Sequence, residues 1–267
     1  MKIFDRRFLQ YQLAALKHNK YKNIVLYPNI IILITAIFFR ENIPILLGCI
    51  LAAAAFIGFG HYRFHKEANA SDPRFDEVMQ KKYVEFEKAA MKKGMQIGVP
   101  LQKILFAVEL DKMNVDDAMD EIQNLIKLKP EAKRLTNHIL FSLYAFKYKD
   151  KSKIPQEYLD YLDRTQKNES NINILVDCMK TCIFIEDYNR AISLGNKGEK
   201  ELAKVKKIRK PAFNAIYRTN IIALPYYQGL AFKNIGNKKK AKIYFQQALK
   251  YCKAKKLQMV IADASEI

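Results

Sequence analysis

Cys178 and Cys182 stand four residues apart in a stretch of helical pattern, which puts both thiols on one face. Such a pair is half of a metal site or a redox couple. The spacing within one helix disfavours a disulfide, and no second Cys or His pair at zinc spacing follows to complete a tetrahedral set. The pair therefore reads as small buried hydrophobes. His61 and His65 repeat the spacing, but Arg63 and Lys66 beside them repel a cation. Asp116, Asp117, Asp120 and Glu121 offer the paired carboxylates of acid–base chemistry. They open a helix, however, where the macrodipole favours negative charge. Cys49, Cys252, His18 and His138 have no partner nearby in sequence. The sequence carries no glycine-rich phosphate loop, nucleophile elbow or zinc-protease helix. It predicts no enzyme, no metal and no cofactor.

Charge is the other candidate. The net charge of +19 over 267 residues is uneven, with +13 in residues 196–267. Lys204, Lys206, Lys207, Arg209 and Lys210 form one basic cluster, Lys238, Lys239, Lys240 and Lys242 a second, and Lys253, Lys255 and Lys256 a third. The clusters admit three readings: a solubilising end, a surface facing anionic lipid, or a nucleic-acid or acidic-protein contact. Tyr217, Tyr226, Tyr227, Tyr244 and Tyr251 interleave with the charge as base-stacking would require. At helical spacing, though, such rings more commonly pack a core.

The elements that position these residues fall into two parts. Residues 24–39 and 43–60 are two uncharged apolar runs separated only by Arg40, Glu41 and Asn42. With Tyr21 and Tyr62 each run is long enough, within the roughly 17–25 residues of a bilayer-spanning helix. A second apolar run directly after the first argues against a cleaved signal peptide, and uncharged runs of this length are rare in a soluble core. Pro28 and Asn29 keep a re-entrant hairpin in play. Lys2, Arg6, Arg7, Lys17, Lys20 and Lys22 precede the runs and Arg63 and Lys66 follow them, so the positive-inside rule places both termini in the cytoplasm. The expected location is the cell membrane, with two spans. Ile3, Phe4, Phe8, Leu9, Leu13 and Leu16 alternate with Arg6, Arg7 and Lys17, so residues 1–23 read as a basic amphipathic segment on the inner face.

Few glycines and prolines, 9 and 8, predict an all-α protein. A charged helical linker spans 61–99 and a helical domain 100–267. The helices come in pairs, 101–112 with 115–128, 131–148 with 156–167, 171–185 with 188–207, and 211–235 with 238–255. The helix over 211–235 is expected to kink or break at Pro225. Four scattered cysteines fit a reducing compartment. Abundant Lys, Ile and Asn without Trp fit an AT-rich, bacterial genome.

In the last pair, residues 226–249 read YYQGLAFKNIGNKKKAKIYFQQAL. Gly229, Phe232, Gly236, Ala241, Phe245 and Ala248 fall at the positions used by tetratricopeptide repeats, and the stretch resembles that family. Asp187 to Ile192, with Ala191 and upstream Leu175, and Asn114 to Ala118, with Pro130 beyond, resemble it more distantly. The resemblance implies an α-solenoid whose groove binds a peptide or helix of a protein partner. The expectation is thus a membrane-anchored adaptor or scaffold, with Phe106, Tyr144, Met179 and Tyr227 as groove residues chosen by helix position. The alternative is an anionic-lipid or nucleic-acid binder using the basic C-terminal quarter.

Overall fold

The computed structural model describes residues 6–69, 77, 80–81, 83–85, 98–205 and 211–266, and every regular element among them is helical. A hairpin of α1 (Arg6–Phe38) and α2 (Ile43–Ala68) comes first. It is followed by α3 (Gly98–Glu109), α4 (Val115–Leu128), α5 (Lys133–Tyr148), α6 (Gln156–Asn168), α7 (Ile172–Phe184), α8 (Tyr188–Val205), α9 (Pro211–Asn234), α10 (Lys238–Tyr251) and α11 (Lys255–Ser265).

Local chemistry accounts for the boundaries. Asn42, Asn114, Asn171 and Asn237 cap α2, α4, α7 and α10, each side chain accepting a hydrogen bond from a first-turn N–H. This satisfies donors that a helix start leaves open. Three of the interhelical turns are built alike. Asp111, Glu186 and Gly236 take left-handed backbone, at φ 56°, 61° and 79°. The N–H of Lys112, Asp187 and Asn237 then reaches back five residues to the carbonyl of Ala107, Cys182 and Phe232. That is the Schellman ending of a helix. After each turn a cap residue follows (Asn114, Asp187 or Asn237), and four positions on stands an alanine with no exposed surface: Ala118, Ala191 and Ala241. A methyl group there lets the two helices of a pair come together.

α9 is the hub. It packs against α1, α7, α8 and α10, and its residues from Ile222 to Gly229 are all buried. It runs through Pro225 as one helix, so of the expected kink or break the break does not occur. Neighbours on several sides offset the roughly 3 kcal/mol that an interior proline costs. The close approach of α9 and α10 depends on Gly229. A Cβ there would meet Cε1, Cδ1 and Cζ of the Phe245 ring at 2.7, 2.8 and 3.0 Å. Phe245 has no exposed surface and cannot swing aside. Gly229→Ala is therefore expected to destabilise the domain by about 1–3 kcal/mol, read as a lower urea midpoint in mild detergent. Phe245→Leu in the same chain should restore part of the loss, and an unchanged midpoint for Gly229→Ala would refute the contact.

Two further differences concern the ends of the chain. The expected helix over 238–255 stops at Tyr251, because Cys252 takes extended backbone at φ −80°, ψ 118°. Gln258 Nε2 donates to the Cys252 carbonyl at 2.7 Å and helps hold the corner. A separate helix, α11, turns back along α10. At the other end, residues 6–38 form one continuous helix across the expected boundary at residue 23, and its first turns pack against α9 of the helical domain. Phe8, Tyr11, Ala14 and Ala15 are buried.

Candidate functional site

The region with the clearest physical demand on its surroundings is the hairpin. α1 and α2 turn through Arg40 and Glu41, with the Asn42 N–H donating to the Phe39 carbonyl at 2.9 Å. α1 passes through Pro28, and Asn29 Nδ2 donates to the Val25 carbonyl at 2.9 Å. Val25 lies level with Gly60, whose Cβ position is 3.6 Å from Val25 Cγ2, so the apolar parts of the two legs begin at one height. Beyond that height Leu26, Ile31, Leu33, Ile37 and Phe38 on α1 point outward, as do Ile43, Leu47, Ile50, Leu51 and Ile57 on α2. Phe38 is 80% and Leu51 70% exposed. Among the described residues, Ile43–Ala68 is one helix long and apolar enough to cross a membrane, whereas the apolar part of α1, Val25–Phe38, is shorter.

Below that height the hairpin is clasped by the domain. The Phe8 ring lies 5.4 Å from Tyr226 and 5.6 Å from Tyr227, and the Arg7 guanidinium sits 5.6 Å above the Tyr226 ring. Tyr11 meets Phe64 of α2 edge to face at 5.7 Å, and burial pushes its hydroxyl up to about 12. Gln10 Nε2 donates to the Glu67 carbonyl at 3.3 Å. α1, α2 and α9 are thus joined by one aromatic cluster at the base of the hairpin.

The residues selected from the sequence as a groove do not form one. Phe106, Met179 and Tyr227 are buried in the core, and Tyr227 is covered by the chain's own Phe8. Tyr144, half-buried, lies against Tyr158 at 5.0 Å and stacks on Tyr148 at 6.3 Å. An open concavity among the described residues lies instead between α5 and α6, about 780 Å³ lined by Lys133, Asn137, Asp160, Tyr161, Arg164 and Glu169 among others. Its polar lining gives no hydrophobic signal for sequence reasoning to find.

The other chemical candidates resolve into structural roles. Cys178 and Cys182 are fully buried on α7, and burial drives both thiols well above the ordinary range, which leaves them unreactive. Asp116 pairs with Lys147, and Asp117 accepts from Asn114 at 2.6 Å, so two of the four carboxylates serve the start of α4. Among the described residues no group of three or more His, Cys, Asp or Glu is placed to hold a metal ion. His138 has a buried Nδ1 with no hydrogen-bond partner, and burial lowers its pKa so that the ring stays neutral.

The basic clusters are dispersed by the fold. Lys204 bonds to Glu201 at 2.8 Å. Lys206, Lys207, Arg209 and Lys210 lie outside the described residues. Lys238, Lys239, Lys240 and Lys242 are exposed at the start of α10, with Lys240 5.1 Å from the Phe232 ring centre. Lys253, Lys255 and Lys256 are exposed at the corner between α10 and α11, where the Lys256 N–H donates to Asn69 Oδ1 at 3.3 Å. No family model, curated protein or solved structure matches the chain.

Proposed function

We propose that this protein is a membrane-anchored adaptor. Its hairpin crosses the bilayer twice, with both termini in the cytoplasm, and its tetratricopeptide-like helical domain holds a protein partner at the membrane. The observation that carries the reading is the continuous apolar surface of α1 and α2 beyond Val25 and Gly60, turned outward on both legs. Soluble proteins rarely leave contiguous apolar patches beyond a few hundred Å², whereas lipid tails solvate such a surface. The legs run about 20–27 Å at 1.5 Å per residue. Local thinning accommodates that shortfall from a hydrocarbon core of about 30 Å. Three helix pairs with one turn geometry and a buried alanine after each cap support the repeat-like reading of the domain. The cleft between α5 and α6, lined by polar and charged side chains, offers a concavity for a partner segment.

The test is topology in intact bacterial cells with Cys49→Ala as background, the remaining cysteines being buried. Glu41→Cys in the turn should react with an impermeant maleimide from outside, and Met259→Cys on α11 only after permeabilisation. Recovery of the chain in the soluble fraction, or a turn labelled only from inside, would overturn two spans. A photo-crosslinker at Asn137 should capture a defined protein, and capture of nucleic acid alone would overturn the adaptor role.

A further inference from the structure

We infer that the foot of the hairpin is a binding surface for anionic lipid headgroups, assembled from Arg63 and Lys66 of α2 with Lys253, Lys255 and Lys256 of the α10–α11 corner. It rests on the reading of the hairpin as membrane-inserted and adds the class of lipid that the protein selects. These cations are almost 190 residues apart in sequence, and the fold joins them. The Lys256 backbone is tied to Asn69, the residue that ends α2, and Lys253 is near enough to His65 to act on it electrostatically. Asn69 lies nine residues beyond Gly60, about 13 Å at 1.5 Å per residue. The headgroup layer is about 5–8 Å deep and surface potentials reach a further ~8 Å at physiological salt. The ammonium groups therefore stand where anionic phosphates act on them.

The side chains are disposed for this. The Arg63 guanidinium is 5.4 Å from the Phe59 ring centre, and Lys66 Nζ is 6.0 Å from that of Tyr62. Both cations therefore lie along rings at the edge of the apolar surface, as snorkelling residues do. None of the five makes an ion pair with a described residue. Glu67 is the acid of α2 at this level, its carbonyl accepting from Gln10. The acids of α11, Asp263 and Glu266, belong to its opposite end, where Lys233 Nζ donates to the carbonyls of Ala264 and Glu266 at 3.0 and 2.8 Å. Lys238, Lys239 and Lys240 also lie at that far end, because α10 runs about 20 Å from its first residue to the corner. The fold thus ties one basic cluster to the foot of the hairpin and leaves the other a helix length from that tie, which supplies an internal control.

The experiment is lysine footprinting by acetylation of the full chain in nanodiscs of phosphatidylcholine, with or without about one-third phosphatidylglycerol. An anionic surface holds a nearby lysine in its charged, unreactive form. A contribution of about 1 kcal/mol per residue corresponds to about a fivefold drop in reactivity at Lys253, Lys255 and Lys256 in the anionic discs. Lys238, Lys239 and Lys240 should react alike in both. Lys253→Gln, Lys255→Gln and Lys256→Gln together should abolish enrichment of phosphatidylglycerol around the protein in mixed discs. Equal reactivity in the two discs, or an equal drop at Lys238–Lys240, would overturn the headgroup site while leaving the hairpin intact. Failure to enter either disc would overturn the membrane reading itself and this inference with it.

Discussion

Phe8→Ala is expected to release the first turns of α1 from the helical domain while α1 and α2 stay paired beyond Val25 and Gly60. Phe8 is 6% exposed and wedged between Tyr226 and Tyr227, on a helix whose neighbouring residues Tyr11, Ala14 and Ala15 are buried on the same face. Truncating a buried phenylalanine costs about 3–5 kcal/mol through lost transfer energy and the cavity left behind. Most of that loss falls on the contact between α1 and α9, because the packing of α9 on α8 and α10 does not involve Phe8. Amide exchange over residues 8–15 should accelerate by about 100-fold or more, tracking the opening of that unit. Exchange in α10 should change far less. Arg7→Ala, which removes a cation–π contact at a partly exposed site, should cost only about 0.5–1 kcal/mol. Unchanged exchange over residues 8–15 in Phe8→Ala would mean that the aromatic cluster does not bind the hairpin to the domain. A domain fixed to the hairpin this way keeps its cleft between α5 and α6 at one orientation to the hairpin, as the proposed adaptor role requires.

This contact also marks where sequence reasoning stops. The periodicity of Phe8 with its apolar neighbours shows an amphipathic helix, but lipid and a protein face make the same demand on such a stripe. Only the fold shows that Tyr226 and Tyr227 meet it. The hairpin was legible because two long uncharged runs, split by three polar residues, leave the chain little choice but to fold back on itself. The helix pairs were legible where Asn114, Asp187 and Asn237 cap and small residues follow at fixed spacing. Among the described residues with left-handed backbone, Gly236 announces itself and Asp111 is of a type that tolerates it, whereas Lys149 and Glu186 are residue types that sequence rules do not associate with that backbone. α11 was missed because Lys253 and Lys255 continue the helical charge pattern of α10 across a corner formed by the backbone of Cys252. Pro225 does not end its helix, tertiary burial outweighing a local penalty. Phe106, Met179 and Tyr227 were chosen by helix position, and position does not say which face of a helix its neighbours will cover. The basic residues, adjacent in the chain, are placed at opposite ends of α10 by its length alone.

Leu51→Arg has the second large effect, and its sign depends on what solvates the hairpin. Leu51 lies midway along the apolar part of α2 and is 70% exposed; Leu128, at the end of α4, is 82% exposed. If both faced water, arginine at either position would be nearly neutral, since isolated surface substitutions stay within about 0.5 kcal/mol. In the middle of a span, exchanging leucine for arginine costs about 3 kcal/mol on insertion scales, equivalent to about 100-fold between integrated and non-integrated chain. Leu51→Arg should therefore move most of the protein out of the alkali-resistant membrane fraction, whereas Leu128→Arg should leave it there. The two substitutions add the same charge to the same chain, so a general effect of charge on expression or degradation would act on both. Retention of Leu51→Arg in the membrane at the level of Leu128→Arg would show that the exposed face of α2 is not in lipid. The apolar surface would then need a protein to cover it.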